Sequence, residues 1–222
     1  MKTTLMPKIL NDLTIEPAIE QLVEPPIADK QSVKIADGKL ITSTSFAFKV
    51  DTENKRVDVW LFGVLRNTRE YSRIITMMYS LSAEYVLHLY IHSPGGSITV
   101  GCNILTAMEK CLATIITHNV GLAASCGSLL LSFGKRISIS PNSTTMFHNA
   151  GFGNFDSAHR LLTQTQHTIA NVMRLFERMR ARGIITESEI EGIVKRGEEY
   201  YFTSDEMVRR LRAGNILYEG EC

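Results

Sequence analysis

The sequence predicts an α/β protein with largely parallel strands. Three observations carry this: β-branched apolar runs recur along the 222 residues, helix-period segments alternate with them, and small-residue turns join the two. Strand-like Val57–Gly63 opens the folded region, followed by a helix near Thr68–Ala83 and a strand over Val86–Ile91. A helix from about Thr99 to Cys111 comes next, then the β-branched run Leu112–Val120. Gly121-Leu-Ala-Ala-Ser-Cys-Gly127 is a tight turn of small residues, and Ser128–Phe133 reads as a buried helix. The strand-like run from Thr144 ends in His148. From Asp156 to Arg182 apolar residues such as Ile169, Val172, Phe176 and Met179 keep helical spacing, and Gly183 ends the helix. Residues 1–45, with Pro7, Pro17, Pro25 and Pro26 and little periodicity, read as an N-terminal extension to a domain over 46–222.

Composition narrows the function classes. Hydrophobic residues make up 44% and charged residues 21%, ordinary for a globular chain. A net charge of +1 implies no strong attraction to nucleic acid or a membrane surface. Arg174, Arg178, Arg180 and Arg182, like Arg209, Arg210 and Arg212, read as solvated helix faces. Cys102, Cys111, Cys126 and Cys222 lack the spacing of a disulfide framework or zinc site, so reduced thiols and a cytoplasmic location are expected. Neither secretion nor membrane spanning is expected, because the N-terminus has no continuous apolar core and no apolar run reaches about 18 residues. His88 and His92 are four apart, but on a strand rather than a zincin helix, so no metal is expected. His118, His159 and His167 read as surface or packing residues, and no cofactor is implied.

The turn at Gly121–Gly127 carries the chemistry. A strand-turn-helix elbow lifts a hydroxyl out of a sheet and leaves amides free at the helix start, which suits Ser125 as a nucleophile. Small residues there equally serve close packing of a helix on a sheet. A serine needs a base oriented by a third polar group, and His148 ends the second strand-like run. Ser93-Pro-Gly-Gly96 is a turn in which glycines can take positive φ and bring bare amides to a ligand. Cys126, beside the serine, raises thiol catalysis as a lesser possibility.

Three ordered motifs resemble the proteolytic subunit of the Clp protease, the ClpP family of serine peptidases, over about Val57–Leu217. His92-Ser-Pro-Gly-Gly96 is similar to the family's Asn-Ser-Pro-Gly-Gly, Gly121–Gly127 to Gly-Gln-Ala-Ala-Ser-Met-Gly, and Pro141–His148 to Pro-Asn-Ser-x-x-Met-Ile-His. The resemblance implies a ClpP/crotonase fold of repeated ββα units, with Asp156–Arg182 and the preceding Gly151–Phe155 as the handle joining two rings. It implies Ser125 as nucleophile, His148 as base, and the amides of Gly96 and Cys126 as oxyanion donors. Glu199 stands where the family has its triad aspartate, and a glutamate can orient an imidazole. Glu198 and Asp205 are rivals, and Glu198 and Glu199 together also suit a solvated loop.

The function implied is a serine endopeptidase cutting unfolded proteins or peptides inside heptameric or tetradecameric rings, with an AAA+ unfoldase as partner. His88, Lys110 and His118 occupy docking positions usually apolar in the family, and Glu198-Glu199-Tyr200 replaces its Arg-Asp-Arg ring contact. Docking and ring coupling are therefore expected to diverge. The extension is then an axial loop, a cleaved leader or an arm. Alternatives are a phage-type head-maturation protease, a catalytically silent ring subunit, and a crotonase-type acyl-CoA enzyme, the last opposed by the Ser125–His148 order.

Overall fold

The computed structural model describes residues 38–149, 151 and 158–219, and follows the helix path alone at 158–159 and 161–164. Residues 1–37 of the extension and the Phe152–Phe155 part of the handle segment lie outside the described residues. A first antiparallel pair, β1 (Ile41–Thr42) on β2 (Phe46–Asp51), continues antiparallel into β3 (Arg56–Leu65). β3, β4 (Val86–Gly96) and β5 (Thr114–Ala124) then run parallel, and β5 also takes β6 (Arg136–Ile139) and β7 (Thr144–Phe147) in parallel. β8 (Tyr200–Thr203) pairs antiparallel with β7 and ends the sheet order. This is the mixed α/β sheet with parallel centre that the alternating pattern predicts.

Parallel neighbours need crossover connections, and helices supply them. α1 (Ser72–Ser80) links β3 to β4, α2 (Ile98–Lys110) links β4 to β5, and α3 (Cys126–Ser132) links β5 to β6. One sheet face, including Val57, Val59, Leu61, Leu87, Leu89 and Ile91, forms a single core cluster with Ile74, Met78, Ile104 and Leu130 of these helices. α4 (Ala158–Ala181) adds Val172, Phe176 and Met179 to that cluster. α5 (Glu187–Glu191), a π-helical turn over Gly192–Arg196 and α6 (Ser204–Ala213) bracket β8.

Several elements depart from the sequence expectation. The helix anticipated over Thr68–Ala83 is a 3-10 turn at Thr68–Tyr71, with Asn67 accepting from the Arg69 amide, followed by α1, which stops where Leu81 turns extended. β4 and β5 outrun their expected ends because their glycine-rich tails stay paired, Leu65 with Gly96 and Ser93 with Ala123. Two arginines read as solvated are structural. Arg182 donates to the carbonyls of Ser132 and Gly134. Arg210, with its side chain 17% exposed, pairs with Glu189 and Glu206 at 2.7 Å each and lies over the Phe202 ring.

The other sheet face carries an aromatic row. Trp60, Tyr90 and His118 are direct register partners on β3, β4 and β5, and their rings stack at 5.4 and 4.5 Å. His88 Nδ1 lies 2.9 Å from His118 Nε2, and Tyr218 meets both imidazoles edge-on. His88 is 4% and His118 1% exposed, so His118 is a packing residue with a histidine partner. A bond between two ring nitrogens needs one N–H and one lone pair, which a doubly charged pair cannot offer. Burial, then the neighbouring His88, pushes His118 down to about 4, and burial also lowers His88; Arg56 lowers both, against Asp58.

Between an unfolded histidine value of 6.5 and the folded value near 4 the unfolded chain binds more protons. The stability contributed by neutral His118 is therefore full above pH 6.5 and lost as pH falls to 4. The expected loss is roughly 3 kcal/mol. Urea unfolding at stepped pH measures it, and a His88→Phe/His118→Phe variant should show a flatter dependence across that window.

Candidate active site

β5 delivers its last paired residue, Ala124, beside Met146 of β7, and the chain turns at once into α3. Ser125 makes the turn with φ 54° and ψ −122°, a strained conformation for a residue with a Cβ. Its amide donates to Met146 O at 3.0 Å, and its carbonyl accepts from the Leu129 amide at 3.1 Å and from Ser128 Oγ at 2.7 Å. The strain is thus held by bonds to two elements.

Glycines let β4 come against this elbow. Gly95 (φ 93°) has no room for a side chain: a Cβ would sit 2.6 Å from Ala124 O and from Ser125 Cβ. Gly96 (φ 139°) is confined in the same way by the Leu65 backbone, and a Cβ at Gly127 would lie 2.9 Å from Ser93 O. Ser93 Oγ donates to Gly63 O at 2.6 Å and accepts from the Gly95 amide at 3.0 Å, fixing the turn from below. The Cys126 thiol donates to Gly96 O at 3.3 Å, tying the two arms together.

Ser125, His148, Gly96 and Cys126 line one cavity of about 370 Å³. Its apolar wall consists of Ile98, Leu129, Phe147, Val172 and Phe176. These wall residues were not singled out from sequence as site residues, since α4 reaches the elbow only through tertiary packing. Burial raises the Cys126 thiol to about 11, so it is protonated at neutral pH and unsuited to act as a nucleophile.

The three acids fall in different places. The antiparallel pairing of β7 with β8 ends at Phe147 and Tyr200, and His148 and Glu199 are the next residues beyond that last pair. The Glu199 carboxylate accepts from Tyr201 Oη at 3.1 Å. Among the described residues no hydrogen bond joins Ser125, His148 and Glu199 to one another. Glu198 is bound by Arg196 and by Tyr200 Oη at 2.6 Å, which draw it down to about 2. Asp205 is exposed in the first turn of α6. Of the residues expected at docking positions, Lys110 is exposed at the end of α2, while His88 and His118 form the buried pair. The described residues contain no cluster suited to a metal ion, and no helix long and apolar enough to cross a membrane.

A family model for Clp protease matches residues 56–210. The chain belongs to the Clp protease family. It is 36% identical over 126 residues to ATP-dependent Clp protease proteolytic subunit 1 of Leifsonia xyli, covering 54% of this chain and 62% of that protein. The figures for proteolytic subunit 2 of Tropheryma whipplei are 36% over 126 residues, 54% and 67%. For the chloroplastic proteolytic subunit 3 of Arabidopsis thaliana they are 40% over 116 residues, 49% and 36%. The match therefore spans less than two thirds of the Leifsonia protein and little more than a third of the Arabidopsis one.

Two outcomes follow from this geometry. Gly96→Ala forces a side chain into positive φ against the Leu65 backbone and should cost on the order of 1–3 kcal/mol, read as a lowered thermal midpoint. Cys126 should resist iodoacetamide at pH 7.5 in the native protein and react once unfolded, as followed by peptide mass mapping.

Proposed function

We propose that this chain is the proteolytic subunit of a Clp-type peptidase, a serine endopeptidase acting on unfolded polypeptides. The observation that carries the reading is the strained Ser125 elbow, which shares one cavity with His148 and with the glycine turn ending at Gly96. In this reading Ser125 Oγ attacks the scissile carbonyl while His148 takes its proton and then delivers it to the leaving amine. The amides of Gly96 and Cys126 receive the oxyanion, and Cys126, as the first residue of α3, has no carbonyl one turn back within that helix. Water then releases the acyl group by the same path in reverse. Glu199 holds the His148 tautomer from across the β7–β8 pair. The apolar wall of the cavity suits an apolar substrate side chain next to the cleaved bond.

Assembly into heptameric rings, single or paired, fits the apolar side chains Phe62, Val64 and Val120, which are exposed at the strand ends nearest the elbow. A partner AAA+ unfoldase is part of the reading, and the relatives named above are ATP-dependent by name. A catalytically silent ring subunit is the second reading, favoured by the absence, among the described residues, of a hydrogen bond from His148 to Ser125 or Glu199.

Intact-mass spectrometry after fluorophosphonate treatment, paired with native mass of the assembly, tests this. A single adduct on wild type that is absent from Ser125→Ala is expected. No adduct on an intact ring would overturn the peptidase reading in favour of the silent subunit.

A further inference from the structure

Glu199 is a long acid in an exposed place, and one side chain restrains it. Tyr201 lies two residues on along β8, on the same strand face, and its hydroxyl donates to Glu199 Oε2 at 3.1 Å. Across the strand pair Tyr201 faces Met146, two residues before His148 on β7. The phenol is 60% exposed, so it adds little to the core. Deeper anchoring comes from the opposite face: Glu198 is held by Arg196 and Tyr200, and Gly192 in the π-helical turn has no Cβ, which would otherwise strike Tyr200 Oη and Glu198 Oε2. That network fixes the entry to β8 and leaves only the Glu199 side chain to be placed.

We propose that Tyr201 is a positioning residue that acts through Glu199 on His148. The inference rests on the reading of Ser125 and His148 above. A glutamate has one more rotatable bond than an aspartate, and an exposed one populates several rotamers unless something selects among them. A carboxylate has two oxygens and about four acceptor sites. Tyr201 engages Oε2, which leaves Oε1 to accept the Nδ1–H of His148 from across the strand pair. The hydroxyl thereby selects the rotamers that keep the acid at His148, and through it a single imidazole tautomer.

Nitrogen-15 spectra of the His148 ring in the full-length assembled protein read that tautomer directly, whether or not the protein is active. Wild type should hold Nδ1 protonated, and Tyr201→Phe should give a mixture at an unchanged melting temperature. Peptide hydrolysis should fall about five-fold in kcat with KM unchanged, the scale of one ordinary hydrogen bond at an exposed site. In the Glu199→Asp background the shorter acid leaves the reach of the phenol, so Tyr201→Phe should there change neither tautomer nor rate. Unchanged His148 tautomers in Tyr201→Phe, or an equal effect in the Glu199→Asp background, would overturn the proposal. Loss of fluorophosphonate labelling in wild type, with the tautomer response intact, would instead remove the peptidase reading and leave the positioning role standing.

Discussion

Backbone meets backbone where β4 and β5 end, and the space between them admits no side chain. Gly95 rests against Ala124 O, Ser125 Cβ and the Cys126 amide, while Gly96 rests against Leu65. Such an approach is open only to glycine, and it fixes how far each strand can run before its helix begins. α2 starts two residues after Gly96 and α3 one residue after Ser125, so both helices leave from one crowded point. Gly101 on α2 then faces Cys126, where a Cβ would stand 3.2 Å from Sγ. The crossover helices, the cavity floor and the strained serine are consequences of this single close contact.

The two faces of the sheet solve different problems. The helix side is an apolar core, as parallel strands covered by crossovers require. The other side stacks Trp60, Tyr90 and His118 in register and holds His88 against them. Imidazoles survive there because each gives the other a hydrogen-bond partner, and burial keeps both in the neutral form. Charge was the reason to expect His88 and His118 to oppose an apolar partner. Both rings are buried and neutral, so neither puts a charge at the surface, and of the three positions Lys110 alone carries an exposed cation, at the end of α2.

What could be read locally was legible in the sequence. Ser125, the glycine turn and the strand ending at His148 each announce themselves within a few residues, through small-residue clusters beside β-branched runs. Glu199 is preferred to Glu198 on the resemblance alone, because neighbouring glutamates differ only in strand parity, and parity needs the β7–β8 register that no local pattern supplies. β2 and β6 were missed for a similar reason, being short strands whose pairing is tertiary. Arg182 and Arg210 read as surface charge, since the Ser132 and Gly134 carbonyls and the Glu189 carboxylate that hold them lie 21 to 50 residues away. The cavity wall from α4 belongs with these, because periodicity marks Val172 and Phe176 as inward-facing without saying what they face.

Ser125 and Cys126 are neighbours with opposite fates, and the elbow decides between them. Intrinsic acidity favours the thiol, whose ordinary value of 9.0 lies far below that of an alcohol. A turn at positive φ, however, sends consecutive side chains in different directions. Ser125 is left half-buried at the cavity with His148, whereas Cys126 is driven inward under α2, where its thiol meets the Gly96 carbonyl. Hydrogen bonds to Gly96 and Ser125 would lower the thiol, but burial outweighs them and the net shift is upward. In the peptidase reading proposed above, position relative to His148 and the solvent selects Ser125, and the more acidic atom becomes a structural tie.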